Sequence, residues 1–341
     1  MLAPYQPHLA SSSNINSSNC AISQNIGRTM TKVFIDGQAG TTGLQIAERL
    51  SQRSDIELLA IDAHQRKAAH VRADLLKEAD IAVLCLPDQA AEESVALAPT
   101  TTRILDASSA HRVHPDWSYG LPELDADARK RIQSARLVSN PGCYPQGFIL
   151  LVRPLIEAQL LASATPLRCS AVSGYTGGGR PLIETYTGYD AEQANRHAVQ
   201  AYGLSQKHKH LPEMQHYSGT TAAPIFLPSV ANYDQGMLVQ IALFEHELSG
   251  ASARTVQKEL AERYIDEPFI CVAELNDPAL LDGSYLNPTQ RNGSNMMDLA
   301  VFGDDSRVVL TARYDNLGKG AAGAAIQNLN LMLGIDECTA L

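Results

Sequence analysis

One cysteine of this chain stands where a turn gives way to an amphipathic run: Ser139-Asn140-Pro141-Gly142-Cys143-Tyr144-Pro145-Gln146-Gly147. Asn140, Pro141 and Gly142 are turn residues. From Phe148 onward apolar side chains recur at helical spacing, at Leu151, Val152, Leu155 and Ile156. Pro145 suits the first turn of a helix, where its missing N–H costs nothing. The pattern predicts Cys143 at a helix N-terminus, whose dipole and free N–H groups favour a thiolate. The same N–H groups stabilise the oxyanion formed when a thiolate attacks a carbonyl. Without that context the residue reads as one more small buried cysteine. With it, Cys143 is the candidate nucleophile.

A base is available in Lys207-His208-Lys209-His210-Leu211-Pro212-Glu213. Two histidines flanked by lysines read as a general base with anion-binding neighbours, as a solvated charged turn, or as half of a metal site. No third ligand is evident, so the metal reading is the weakest and none is expected. A histidine is the usual base beside a catalytic cysteine. Upstream, Gly174-Tyr175-Thr176-Gly177-Gly178-Gly179-Arg180 reads as a flexible loop ending in a cation, able to fold over an anionic group.

The elements that position these groups begin at Lys32-Val33-Phe34-Ile35-Asp36, an apolar run of strand type. Gly37, Gly40, Thr41, Thr42 and Gly43 form a glycine turn, and Leu44, Ala47 and Leu50 follow at helical spacing. Strand, glycine turn and helix together form a phosphate cradle, with the anion at the helix N-terminus. The spacing is Gly-x-x-Gly-x-x-Gly, so alone it is a moderate signal. The next strand, 57–61, runs into Asp62, His64, Arg66 and Lys67. An acidic residue there suits the ribose of NAD and cations suit the 2′-phosphate of NADP. With two cations, Arg66 and Lys67, the balance falls to NADP. A buried strand at 81–86 is ended by Pro87, a helix covers 89–98, and a strand at 102–105 opens into Asp106-Ala107-Ser108-Ser109-Ala110-His111-Arg112. Strands alternating with helices predict an α/β fold, a Rossmann-type doubly wound parallel sheet.

The second half reads differently. Residues 169–173, 230–242 and 307–312 are strand-like and 247–264 helical, which predicts an α+β domain with a mixed or antiparallel sheet. Asp315-Asn316-Leu317-Gly318-Lys319-Gly320 is a turn, and a small-residue helix, 321–333, follows it. The expected division is 30–144 for the nucleotide, with 315–341 returning to it, and 145–314 for substrate and oligomerisation.

The composition is that of a globular enzyme. The chain has 341 residues, 45% of them hydrophobic, and no apolar run long enough to cross a membrane. A net charge of −10 with scattered Lys and Arg argues against a nucleic-acid surface. Six cysteines (Cys20, Cys85, Cys143, Cys169, Cys271, Cys338) form no Cys-x-x-Cys pair. Cys85 and Cys169 read as inert core residues. A reducing, cytoplasmic setting is expected, since a nucleophilic thiol requires one. Residues 1–29 are a Ser/Asn-rich tail without the features of a secretory signal, expected to be disordered, and Met30 competes with Met1 as the start.

From Met30 onward the chain resembles the N-acetyl-γ-glutamyl-phosphate reductases in their shorter form (type 2). The resemblance is carried by Gly37 to Gly43, Asp106-Ala107-Ser108-Ser109, Ser139 to Pro145, Gly174 to Arg180, His208 to Glu213 and Asn316 to Gly320, in that order and spacing. The tail before Met30 is the one departure. The resemblance implies NADPH-dependent reduction of an acyl phosphate through a cysteine thioester, in arginine biosynthesis, by a homo-oligomer acting on a small molecule. It implies Cys143 as nucleophile. His210 is the acid/base, with His208 the alternative that spacing leaves open. Gly37, Gly40, Thr41, Thr42, Gly43, Arg66, Pro87 and Asn316 are the expected cofactor contacts. Ser108, Arg112, Arg180 and Lys207 are the expected substrate contacts, with Lys209 a further candidate. A related acyl-phosphate reductase of the aspartate-semialdehyde dehydrogenase kind, or a dinucleotide sensor that kept the fold, are the competing readings.

Overall fold

The computed structural model describes residues 30–341, so the expectation about the tail at 1–29 lies outside the described residues. The first half is built as the alternation demands. Strands β1 (Thr31–Asp36), β2 (Ile56–Leu59), β3 (Ile81–Leu84), β4 (Arg103–Asp106), β5 (Ser118–Tyr119) and β6 (Leu137–Ser139) form one parallel sheet in the order β2-β1-β3-β4-β6-β5. Helices α1 (Thr41–Ser51), α2 (Ala69–Glu78), α3 (Asp88–Leu97) and α4 (Ala128–Ser134) supply crossovers between the strands. β3 is buried along its whole length, as an inner parallel strand with both faces covered must be.

The chain leaves this sheet through α5 (Cys143–Glu157), whose first residue is Cys143. The second sheet has seven strands: β7 (Arg168–Gly174), β8 (Val199–Ala201), β9 (Ile225–Ala231), β10 (Met237–Phe244), β11 (Ile270–Val272), β12 (Met297–Asp304) and β13 (Arg307–Tyr314). Their order is β11-β12-β13-β10-β7-β9-β8, and the sheet is mixed, with β7 parallel to β9 and β10 antiparallel to both β7 and β13. Helices α6 (Gly179–Thr187), α7 (Ala191–Arg196), α8 (Leu211–Ser218) and α9 (Ala253–Arg263) accompany it. One face of the sheet, with Val239, Ile241 and Leu310, shares a core with Phe148, Leu151 and Leu155 of α5, Met214 of α8 and Val256 and Leu260 of α9. The last helix, α10 (Gly323–Leu333), packs its small face into the core of the first sheet, with Ala325, Ile326 and Leu329 against Val33, Ile35 and Ile46.

Four expectations from sequence are corrected. The apolar stretch 230–242 is not one strand. It is the end of β9 and the start of β10 joined by a turn through Gly236 at φ +108°. The helix expected over 247–264 begins only at Ala253, because Ser249 and Gly250 take left-handed conformations at φ +50° and +79°. Gly174 to Arg180 is not a loose loop but a 3-10 turn that runs directly into α6. The small-residue helix opens with a π-helical turn, Gly318–Ala322. Single-turn π segments of this kind cluster at functional sites.

Candidate active site

A cavity of about 770 Å³ opens between the two sheets. It is lined on one side by the glycine turn before α1 and on the other by Cys143, His208, Lys209, His210 and the start of α6.

The glycine turn fits a nucleotide phosphate. Gly37, at φ +90°, has no room for a side chain, since a Cβ would lie 2.3 Å from the Cys85 carbonyl oxygen. Gly37 therefore seats the turn on β3 and does not line the cavity. Gly43 likewise packs on the Gly37 oxygen, 2.7 Å from where its Cβ would be. Gly40 is open: a Cβ would meet protein no nearer than 3.5 Å, so its absence keeps cavity space free. The first intrahelical bond runs from Leu44 N–H to Gly40 O at 2.9 Å, which places the N–H groups of Thr41, Thr42 and Gly43 in the uncompensated first turn.

Cys143 is held from several directions. Gly142 is the N-cap of α5. The Tyr314 hydroxyl donates to Cys143 O at 2.6 Å and accepts from Gly147 N–H at 3.2 Å, which fixes the first turn. A Cβ on Gly142 would lie 2.6 Å from Arg112 Nη1, 2.6 Å from Glu213 Oε1 and 2.7 Å from His210 Cδ2. Only glycine lets these three side chains converge beside the cysteine. Glu213, 1% exposed, accepts from Arg112 Nη1 at 2.7 Å, from the Tyr119 hydroxyl at 2.9 Å and from Gly142 N–H at 3.0 Å. Arg112 also donates to the carbonyls of Asn140 and Ala107, at 3.0 and 3.1 Å.

This network changes the electrostatics expected from sequence. One N–H at the helix start is already spent on a buried carboxylate. Burial pushes the Cys143 thiol up to about 11, with Arg112 and the Tyr144 N–H pulling the other way and Glu213 adding to the rise. Cys143 therefore rests as a thiol. His210 is buried, and burial together with Arg112 and His208 holds its basicity well below the usual imidazole value, so it is neutral. His210 Nδ1 has no hydrogen-bond partner among the described residues. His208 is lowered to about 4 by burial and by Lys209 and Arg112, and its Nδ1 accepts from His210 N–H at 3.2 Å. A neutral imidazole beside a thiol is a proton acceptor in waiting.

The cavity brings together Gly40, Thr41, Thr42, Gly43, Arg112, Cys143, Arg180, His208, His210 and Asn316 of the expected site. Arg180 is exposed and paired with Glu184 at 2.7 Å one turn along α6. Asn316 accepts from Gly236 N–H at 2.8 Å and donates to the Thr176 hydroxyl at 3.0 Å. Other expected residues fall elsewhere. Ser108 is buried with its hydroxyl on Asp106 Oδ2 at 2.6 Å, which also takes His111 Nδ1 at 2.7 Å, so it caps a turn and does not face the cavity. Lys207 points to solvent outside the cavity, and its neighbour Lys209 lines it instead. Pro87 is the N-cap of α3, and Cys85 and Leu86 provide the wall. Cys85 is thus no plain core residue. Arg66 lies in the exposed turn after β2, outside the cavity. Sequence reasoning missed Glu213, Tyr119 and Tyr314. Glu213 carried a signal, since it stands three residues after His210 at the start of α8.

Two family descriptions match the chain: "Semialdehyde dehydrogenase, NAD binding domain" over residues 32–132 and "Semialdehyde dehydrogenase, dimerisation domain" over residues 143–316. N-acetyl-gamma-glutamyl-phosphate reductase 2 of Nostoc sp. is 48% identical over 314 residues, covering 90% of this chain and 98% of its own. The N-acetyl-gamma-glutamyl-phosphate reductase of Brucella ovis is 50% identical over 311 residues, covering 89% and 99%. Among solved structures, aspartate semialdehyde dehydrogenase II of Vibrio cholerae superposes with a TM-score of 0.66 at 14% identity, covering 90% of this chain and 99% of that one. The Candida albicans aspartate semialdehyde dehydrogenase with NADP gives 0.60 at 14%, covering 89% and 99%. At such identities these two establish the fold and nothing finer.

Proposed function

The chain belongs to the semialdehyde dehydrogenase family, alongside the N-acetyl-γ-glutamyl-phosphate reductases, and on that premise we propose that it reduces N-acetyl-γ-glutamyl phosphate to N-acetylglutamate 5-semialdehyde and phosphate, a step of arginine biosynthesis. The observation that carries the reading is one cavity holding a half-buried cysteine at a helix start, a neutral histidine and a glycine turn opposite.

In this reading His210 takes the Cys143 proton as the sulfur attacks the acyl carbon, and phosphate leaves. His210 is preferred to His208 because its ring lies against Gly142, while His208 Nδ1 is occupied by a backbone N–H. Gly142 N–H is bound to Glu213, so the oxyanion falls to the other N–H groups of the first turn. Lys209, Arg112 and Arg180 supply the positive field for phosphate and carboxylate. A nicotinamide cofactor supplies the hydride that reduces the acyl carbon. Thr41, Thr42 and Gly43 would hold its pyrophosphate, with Asn316 along the wall. NADP is the favoured form. Arg66 and Lys67 make no side-chain hydrogen bond or ion pair among the described residues and so stay free for a 2′-phosphate, whereas Asp62 Oδ1 already accepts from His64 N–H at 2.7 Å. Replacing both cations by alanine should weaken NADPH binding more than NADH binding. Equal losses in a titration would remove that assignment.

Residues 30–144 with 315–341 serve the nucleotide and 145–314 the substrate, in a homo-oligomer of the reducing cytoplasm. The oligomer face is the open side of the second sheet, where Ile225, Leu227 and Phe244 are 54, 42 and 53% exposed. No described helix is long and apolar enough to cross a membrane.

The deciding assay is phosphate-dependent NADP⁺ reduction with N-acetylglutamate semialdehyde against aspartate semialdehyde, using Cys143→Ala as control. Turnover on the acetylated substrate alone, lost in the control with NADPH binding kept, is the expected result. Turnover on aspartate semialdehyde would move the substrate, and activity surviving in Cys143→Ala would end covalent catalysis.

A further inference from the structure

Lys319 and Glu123 are both completely buried and meet at 2.6 Å. Lys319 Nζ also donates to Gln327 Oε1 at 2.7 Å and lies 5.7 Å from the centre of the Phe269 ring. Gln327 Nε2 closes the triangle on Glu123 Oε1 at 3.0 Å. Lys319 holds Glu123's carboxyl below the usual carboxylate range against the opposing effect of burial. Taking two charges out of water is costly, and an apolar pair of similar volume often serves stability as well or better. A pair kept here calls for a reason other than stability.

The reason lies in what Lys319 belongs to. It sits in the π-turn Gly318–Ala322, which touches the start of α5 and the turn before it at three points. Asn140 Nδ2 donates to Ala321 O at 3.1 Å, and Gln146 Nε2 donates to Lys319 O at 2.8 Å. Between them, a Cβ on Gly320 would lie 3.2 Å from Cys143 Cβ, so the turn backs directly onto the nucleophile. Cys143 and Gln146 lie one turn apart on α5 and Asn140 in the turn just before it, so both the helix start and its approach are braced. Glu123 belongs to the segment before α4, on the nucleotide side, whereas Phe269 comes just before β11 of the second sheet. The ion pair therefore ties the returning C-terminal segment to the rest of the nucleotide half, and the Phe269 ring of the other half packs over it.

We infer that Lys319 and Glu123 are positioning residues for Cys143: their buried ion pair holds the π-turn against the first turn of α5 and so sets where the thiol stands relative to His210. The pair touches neither the cavity nor any reacting atom. It acts through the backbone of residues 319–321.

The test compares Lys319→Met with the double variant Lys319→Met/Glu123→Leu, which leaves no unpaired charge inside. Two readouts are taken: the split between kcat and KM in the reductase assay, and the rate of Cys143 alkylation by iodoacetamide. Both variants should lose about 100-fold in kcat, the scale of a misplacement of roughly 1 Å, with KM and NADPH binding unchanged and alkylation altered. If Lys319→Met does not fold, the double variant carries the test alone. A folded double variant with full kcat and the parent alkylation rate would overturn the inference, and a double variant that cannot fold would reduce the pair to a stability element. Alkylation needs no substrate, so this result stands apart from whether the proposed substrate is right.

Discussion

At the scale of single residues, the nucleophile is set by its neighbours more than by its helix. A cysteine at a bare helix N-terminus is drawn toward the thiolate. Here burial pushes Cys143 up to about 11, and Glu213, which occupies the Gly142 N–H, adds to the rise. The iodoacetamide reaction of the free protein should therefore keep accelerating as pH rises above 9, the ordinary thiol value. A plateau near neutral pH would show a thiolate at rest and refute the upward push of burial on Cys143. His210 and His208 were both candidates by residue type, and the preference for His210 rests on a contact with Gly142 that no spacing reveals.

At the scale of elements, α5 was the most legible piece, because its apolar period, its turn residues and its proline all agree. What periodicity does not show is how closely it must approach β13. A Cβ on Gly147 would sit 2.9 Å from both Ala312 Cβ and the Tyr314 hydroxyl. Gly147→Ala should destabilise the protein by about 1–3 kcal/mol, the range for overpacking, and displace the Tyr314 hydroxyl from Cys143 O. Denaturant unfolding measures the first effect and the alkylation rate the second. A variant as stable as the parent would mean that the contact gives way freely. The π-turn was invisible beforehand because the glycines of 318–320 read as a plain turn before the helix, and no local pattern marks the wider hydrogen bonding of Gly318–Ala322.

At the scale of the whole molecule, the first sheet is closed on both faces and the second is not. Helices cover the side of Val239 and Ile241. The opposite side presents Ile225 and Leu227 on β9 and, across β7, Phe244 on β10, exposed apolar side chains of the kind that marks an interface. With the family's dimerisation region spanning these strands, the double variant Ile225→Lys/Leu227→Lys should sediment as a monomer while the parent does not. A parent that is monomeric, or a variant that still associates, would place the interface elsewhere.

The sequence alone determined the alternation of strands and helices, the glycine turn, and the candidates for nucleophile and base. Each is a local pattern, fixed by periodicity or by what a turn or helix end requires of a residue. Only the tertiary structure decided which candidates share the cleft. It turned Ser108 inward to Asp106, exchanged Lys207 for Lys209, and brought Glu213 and Lys319 in behind Cys143. Those outcomes depend on contacts between residues as far apart as 71, 101 and 196 positions. A long-range contact is created by the closing of the fold and leaves no period in the chain for a reader to find.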